Sequence, residues 1–382
     1  MTDILEKHLS ENNINQFLDE CTKSESLYLG LLISTIYIEE EPDNNQYKIF
    51  QNTFKNNINN INKKIYEQNT KSQIEKQNSS IETPDIKYKT VKLLCNWTTS
   101  EDLACLWNKM SKGNYCWDNI KLVWGEIEPD YYIVINKPPI SESIIEPSKT
   151  IILHMEPNIK ENRKLWGKWS DPDPSIFVKV CSHDKTYNNN EWHISLTYNQ
   201  LLTYKPEKKY DNIISTILSE KYENIGHIKR IDFVKFLETK DDIKVDVYGS
   251  NKWNYKNYKG FLPYHEKDNG LFPYKYTFNV ENHSIKNYFT EKVIDAILSE
   301  TLIFYSGCYN LKEYIDENAF VYLELIDFEH DYNVIKHAID NNLWAERLPF
   351  IKIAKQKILT ELQFFPRIKK IIENFENQNK LQ

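Results

Sequence analysis

Tyr274–Phe328 reads YKYTFNVENHSIKNYFTEKVIDAILSETLIFYSGCYNLKEYIDENAFVYLELIDF. Its first seven residues, YKYTFNV, are mostly aromatic and apolar, a composition suited to a strand buried on both faces. Glu281 and Asn282 follow at the carboxyl end of that strand. A polar loop then leads to Thr290, whose hydroxyl suits the N-cap of a helix over residues 290–299. Apolar runs at 302–305 and 319–326 supply two more strands. Strands alternating with a capped helix make the βαβ unit of a parallel sheet, which gathers polar groups at the carboxyl edges of its strands. A helix N-terminus there offers unpaired backbone N–H groups, and Lys292 adds a full positive charge, so the spot suits a nucleotide diphosphate.

The same texture extends back toward the N-terminus. NIISTILSE (212–220) and KVDVYGS (244–250) predict strands, and GHIKRIDFVKFLE (226–238) predicts an amphipathic helix between them. Pro206-Glu207-Lys208-Lys209 breaks the pattern. Before that break, VKLLCNW (91–97), IKLVW (120–124), YYIVIN (131–136) and TIILHME (150–156) predict four strands, with helical spacing at Leu103, Leu106 and Trp107 between the first two. Two successive α/β halves imply a cleft between them. The expected fold class is therefore α/β, two Rossmann-like domains facing a cleft, with an N-terminal helical appendage. The expected boundaries are residues 1–85 for the appendage and a polar Asn-, Lys- and Gln-rich tether, 86–205 for one domain, and 206–382 for the other with its C-terminal helices.

Composition narrows the function. Lys and Arg number 48 against 55 Asp and Glu, a net charge of -7, which argues against a general affinity for nucleic acid or anionic lipid. The cysteines at 21, 95, 105, 116, 181 and 308 form no Cys-x-x-Cys pair, so neither a cysteine zinc site nor a disulfide framework is expected. The apolar run at 27–38 is too short to span a bilayer and has acidic rather than basic flanks. No membrane span and a cytoplasmic location are the expectations.

Tyr274-Lys275-Tyr276, Phe278, Val280-Glu281-Asn282 and then Tyr288-Phe289-Thr290-Glu291-Lys292 resemble, in order and spacing, the donor-binding segment of the α-1,3-fucosyltransferases, glycosyltransferase family ten. Downstream, Gly307 and AFVYLELIDF resemble that family's following strand end and its SFI-x-V-x-D-F element. The resemblance implies the glycosyltransferase-B fold, with acceptor held by the N-terminal domain and donor by the C-terminal one. It implies inverting transfer of fucose from GDP-fucose, or of a related deoxyhexose, to a hydroxyl of a glycan or glycoprotein. It also implies a donor site made by Arg230, Glu281, Asn282, Tyr288, Thr290, Glu291 and Lys292. Within it Arg230 and Lys292 neutralise the diphosphate, so no obligatory cofactor and no metal are expected.

His154-Met155-Glu156-Pro157 is similar to the family's acceptor-side carboxylate fragment, which makes Glu156 the candidate base. A base there would take the acceptor proton while positive charge opposite stabilises the leaving group. Lys229 competes with Arg230 as the diphosphate cation, and His154 competes with Glu156. His183 and His193 are polar-loop candidates for acceptor contact. Trp166 and Trp169, with His154, are candidate acceptor contacts. The alternative is a non-catalytic glycan- or protein-binding module derived from such an enzyme.

Overall fold

In a computed structural model, the residues described are 45–46, 48–53, 57, 87–140, 145–186 and 191–380. Within the expected appendage and tether, residues 45, 46, 48–53 and 57 are helical, and the remainder of that expectation lies outside the described residues.

Residues 86–382 form one compact unit built on two sheets. The first contains β1 (Lys89–Leu94), β2 (Cys116–Trp117), β3 (Ile120–Val123), β4 (Tyr131–Ile135), β5 (Thr150–Leu153) and β6 (Lys179–Cys181). Their order is β2-β3-β1-β4-β5-β6, parallel except for the β2–β3 hairpin. The second contains β7 (Tyr210–Leu218), β8 (Lys244–Gly249), β9 (Tyr258–Gly260), β10 (Tyr274–Val280), β11 (Leu302–Ser306) and β12 (Phe320–Tyr322). Its order is β12-β11-β10-β7-β8-β9, parallel throughout. Every residue of YYIVI in β4, TIIL in β5 and LIFYS in β11 is buried, as strands covered on both faces require.

The helices are α1 (Ser100–Trp107), α2 (Lys160–Trp166), α3 (Tyr198–Thr203), α4 (Ile225–Leu237), α5 (Glu291–Leu298), α6 (Phe328–Asp340), α7 (Leu343–Lys357) and α8 (Phe364–Lys380). The strand predicted over 319–326 stops at Tyr322, because Leu325 turns into left-handed backbone (φ 52°) and donates its N–H to Asp331 Oδ2 at 2.7 Å. The last helix does not stay with the second sheet. Trp107 and Phe364 rings pack 4.7 Å apart, Tyr131 Oη donates to Glu376 Oε1 at 2.9 Å, and Lys89 pairs with the same oxygen at 2.6 Å. The stretch 206–382 therefore supplies the second domain with α6 and α7 but returns α8 to the first. No helix among the described residues is long and apolar enough to cross a membrane.

Candidate functional site

In the second sheet the chain starts at the central strand β7, runs outward through β8 and β9, then crosses to β10 and runs outward the other way. The crevice between the carboxyl ends of β7 and β10 is thus a topological switch point, where open α/β sheets bind ligands. Ser219 leaves β7 there, and Glu281 and Asn282 leave β10. Gly226 brings the start of α4 onto that edge, its N–H donating to Asn282 O at 3.2 Å. A Cβ at Gly226 would fall 1.8 Å from Glu281 O, so only glycine permits the approach.

One helical turn further on, Arg230 is 4% exposed. Its Nη2 donates to Ser219 Oγ at 3.0 Å, and its Nη1 to Asn282 Oδ1 at 3.3 Å and Val280 O at 3.5 Å. Nε has no hydrogen-bond partner, and among the described residues no carboxylate pairs with the guanidinium within 4.0 Å. Burial holds Arg230 below its ordinary value despite the fields of Glu281 and Glu291. Lys229 points elsewhere, to Glu324 O at 3.2 Å, which leaves Arg230 as the cation of this helix at the crevice.

A cavity of about 780 Å³ opens from the crevice, within the size range of small-molecule sites. Arg230, Asn282, Tyr288, Thr290, Glu291 and Lys292 line it from the second domain, and Glu156, Glu191 and His193 from the first. The expected donor residues and the expected base therefore meet in one space, with one exception. Glu281 is 1% exposed and does not line the cavity. Its Oε1 accepts the Thr290 N–H and its Oε2 the Thr290 hydroxyl, both at 2.8 Å, and Lys292 Nζ lies 3.3 Å from Oε2. Glu281 thus holds the start of α5 instead of facing a ligand, because Thr290 and Lys292 use its carboxylate from behind. Gly307 permits this, since a Cβ there would lie 2.5 Å from Glu281 Cγ.

The pKa values of the cleft carboxylates are shifted in opposite directions. Burial raises Glu156 above the ordinary value, only partly opposed by Lys292, with Glu291 and Glu281 adding to the rise. Burial also opposes the charge on Glu291, yet Lys292, Lys267 and His193 hold that group well below the usual carboxylate range. Lys267 Nζ lies 3.3 Å from Glu291 Oε1 and 3.3 Å from Asp295 Oδ2. Burial lowers Lys292, but Glu281 and Glu291 outweigh it and raise the ammonium above its ordinary value. Burial and the charges of Arg230, Lys221 and Lys292 press His227 down to about 4.

Tyr288 Oη donates to Glu156 Oε2 at 3.5 Å across the cleft. His183 fixes that pairing from beneath: its Nε2 lies 3.0 Å from Met155 O, its Nδ1 lies 2.9 Å from Asn287 O, and its own carbonyl accepts from Asn287 Nδ2 at 2.7 Å. His183 therefore clips the residue before Glu156 to the residue before Tyr288.

The remaining acceptor candidates fall outside the cavity. His154 is 1% exposed, its Nε2 lies 2.7 Å from Trp169 O, and its ring stacks on Trp166 at 4.9 Å. Both His154 and Trp166 are consumed in packing the first domain. Trp169 lines a separate cavity of about 640 Å³ with Pro138, Pro139, Lys168 and Phe177. Sequence reasoning missed Ser219, Lys221, His227, Glu191, His265 and Lys267. Ser219 and His227 lie at the facing ends of two predicted elements and were within reach of a switch-point argument; Lys267 and His265 sit in a loop with no local signal. Among the described residues, Glu191, His193 and His265 form the one His/Cys/Asp/Glu group close enough to hold a metal ion.

Two Rossmann-like domains facing a cleft define the glycosyltransferase-B fold. No family model and no curated protein matches this chain. Among solved structures, it is similar to an α1,3-fucosyltransferase with GDP-fucose at 15% identity and TM-score 0.43, over 76% of this chain and 96% of that one. It is similar to Anabaena HepE with UDP and glucose at 8% identity and TM-score 0.47, over 77% and 100%. A Rickettsia africae glycosyltransferase matches at 10% identity and TM-score 0.46, over 76% and 98%. Likeness at this level concerns strand and helix arrangement, not residue roles.

Proposed function

We propose that the protein is an inverting glycosyltransferase that moves fucose, or a related deoxyhexose, from a GDP-sugar to a hydroxyl of a glycan or glycoprotein. The observation that carries this is Arg230, a buried guanidinium at the switch point with no carboxylate paired to it. Burying such a charge is costly, and an anion arriving at Nε and at the Nη2 hydrogen that Ser219 does not use would offset the cost. A nucleoside diphosphate is the anion that switch points of this kind take, and Lys292 and Lys221 approach the same cavity. The Tyr288–Lys292 motif supports GDP-fucose in particular.

In this mechanism Glu156 accepts the proton of the acceptor hydroxyl as its oxygen attacks the anomeric carbon from the face opposite the diphosphate. The bond from that carbon to the phosphate oxygen breaks, and the electron pair leaves with GDP. Arg230 and Lys292 stabilise the added charge without rearranging. Tyr288 orients Glu156, and Glu281 fixes the residues that flank the phosphate. The chemistry runs through the two cations, and no step requires a metal.

Thermal-shift titration against GDP-fucose, GDP-mannose, GDP, UDP and dTDP-sugars tests the donor, because a ligand of the native state raises Tm by mass action. Stabilisation by GDP and GDP-fucose, with slow release of GDP from GDP-fucose, is the expected result. A response to UDP or dTDP-sugars alone would overturn the donor, and no response to any of them would overturn the transferase.

A further inference from the structure

We propose that Glu191, His193 and His265 form a binding site for a divalent cation of the zinc type on the wall of the cleft. One ligand atom from each residue lies within 4.8 Å of the other two. Glu191 Oε1 and His193 Nε2 are 3.1 Å apart, close to the separation of about 3.3 Å that tetrahedral angles and Zn–ligand bonds of about 2.0–2.1 Å require. The His193 and His265 rings meet edge to face with centroids 4.3 Å apart.

A second observation is independent of that spacing. His193 is 5% exposed, yet its Nδ1 has no hydrogen-bond partner, and neither ring nitrogen of His265 has one although both are buried. Buried polar nitrogens are rarely left without partners, and an ion or water resolves such a set. An ion held by Glu191 Oε1, His193 Nε2 and one ring nitrogen of His265 gives that orphaned His265 nitrogen its partner, and the carboxylate beside it favours a cation over water.

The supporting structure resembles that of a metal centre. Glu191 Oε2 accepts from Trp107 Nε1 at 2.9 Å, which fixes the carboxylate with Oε1 toward His193. The His193 N–H donates to Asp295 Oδ1 at 2.7 Å, and the His193 carbonyl accepts the Lys267 N–H at 3.1 Å. Ser195 Oγ donates to Asp268 Oδ1 at 2.9 Å, so the segment carrying Glu191 and His193 is clipped to the loop carrying His265. Outer hydrogen bonds of this kind orient metal ligands. Lys109 and Lys267 oppose a cation here, while Glu191, Glu291 and Asp295 favour one.

Two imidazoles and one carboxylate suit zinc, and Co²⁺ serves as its visible probe. Three protein ligands leave a position open, and because Glu191 and His193 line the cavity that position takes an oxygen ligand there, water or a sugar hydroxyl. Neither the donor nor the transfer chemistry enters this inference.

The test titrates the purified full chain, stripped with chelator and free of nucleotide, with Zn²⁺ and Co²⁺. The expected result is one equivalent of metal per chain, a visible Co²⁺ spectrum and a raised Tm. His265→Gln and Glu191→Gln should abolish the Co²⁺ spectrum, and Trp107→Phe should weaken metal binding about 10- to 100-fold. His265 is only partly buried, so its variant tests the site even if Trp107→Phe fails to fold. No stoichiometric metal, or binding unchanged in His265→Gln and Glu191→Gln, would overturn the site. Because the metal is read without nucleotide, failure of the GDP reading leaves this result standing.

Discussion

Replacing Arg230 with methionine should move stability and ligand affinity in opposite directions. The guanidinium is buried and held below its ordinary value by desolvation, so an apolar side chain of similar length removes that penalty. Exchanging a buried charge for a packed apolar group is neutral to stabilising by about 1–4 kcal/mol. Against this stand the hydrogen bonds to Ser219 at 3.0 Å and Asn282 at 3.3 Å, each worth about 1 kcal/mol. Ser219 is exposed and Asn282 partly so, and water can replace the arginine at both. With both bonds lost outright the balance for Arg230→Met runs from about 2 kcal/mol against folding to about 2 kcal/mol in favour, and water at both positions moves it to the favourable end, a rise in unliganded Tm of at most about 4 °C. GDP loses at least one charge-assisted hydrogen bond worth about 1.5–3 kcal/mol, a roughly 10- to 150-fold weaker Kd. Differential scanning fluorimetry gives the first quantity and isothermal titration calorimetry with GDP the second. A fall in unliganded Tm of more than about 5 °C with unchanged GDP affinity would show Arg230 to be structural and refute the reasoning.

Glu156→Gln should retain donor affinity while transfer falls about 10²- to 10⁴-fold, the usual contribution of a positioned base, and wild-type turnover in acceptor assays would remove Glu156 from that role. Its stability effect has a definite sign: the folded-state pKa lies above the ordinary 4.5, so the Glu156 contribution is fully present below pH 4.5 and is lost as pH rises through the raised folded value. Urea melts should therefore match wild type in acid and favour the Gln variant increasingly above it; a constant gap would contradict the assignment. His227, pressed to about 4 by burial and by Arg230, Lys221 and Lys292, should gain a proton when a diphosphate neutralises those cations. GDP-fucose, which keeps its charge over this range, should bind more tightly at pH 5 than at pH 7 to wild type but not to His227→Ala, and identical profiles in calorimetry would exclude the linkage. Gly226→Ala drives a Cβ into the Glu281 carbonyl and should cost about 3 kcal/mol or more with loss of GDP binding; a variant within 1 °C of wild type would show that α4 can withdraw freely.

The parts of the fold carried by continuous apolar strands were legible: YKYTFNV, NIISTIL, YYIVI and LIFY all became central strands, because burial on both faces leaves a run that no helix period explains. Two-residue β2 and three-residue β6 and β9 were missed, since edge strands this short carry no period. At the site, Thr290 was readable as an N-cap from its place before the helix, and its hydroxyl does accept from Lys292 N at 3.4 Å. Arg230 over Lys229 followed from the family resemblance and not from helical pattern, since adjacent residues on a helix differ only in which way the helix is rolled, and Gly226 sets that roll by contact with Glu281 and Asn282 just past β10. The buried role of Glu281 depended on Thr290, Tyr305 and Gly307, which lie nine to 26 residues away. His154, Trp166 and Trp169 sit near Glu156 in sequence, but the chain turns after β5 and directs them into the first domain and a different cavity.

The opposite pKa shifts of Glu156 and Glu291 bear on how the proposed transfer conserves charge. Lys221, Arg230, Lys267 and Lys292 line the cleft together with Glu156, Glu191, Glu220 and Glu291, so no large net positive field pulls the diphosphate in. Selectivity for charge must then come from placement, with Arg230 unpaired at the switch point and Lys292 and Lys267 already engaged by carboxylates. When the bond to the diphosphate breaks, the leaving group gains one negative charge. In the same event Glu156 takes the acceptor proton and loses one. The burial that raises the Glu156 pKa favours that neutralisation, and a buried site in which total charge stays constant avoids the reorganisation that water would require. Glu291, held ionised by Lys292, Lys267 and His193, is the wrong carboxylate for this task, because it resists the proton that Glu156 accepts. Removing the cation that lowers both, as in Lys292→Met, should raise the pKa of both groups, move the acid limb of the pH–rate profile upward and weaken GDP binding together, whereas a purely structural lysine would lower Tm and leave the limb in place.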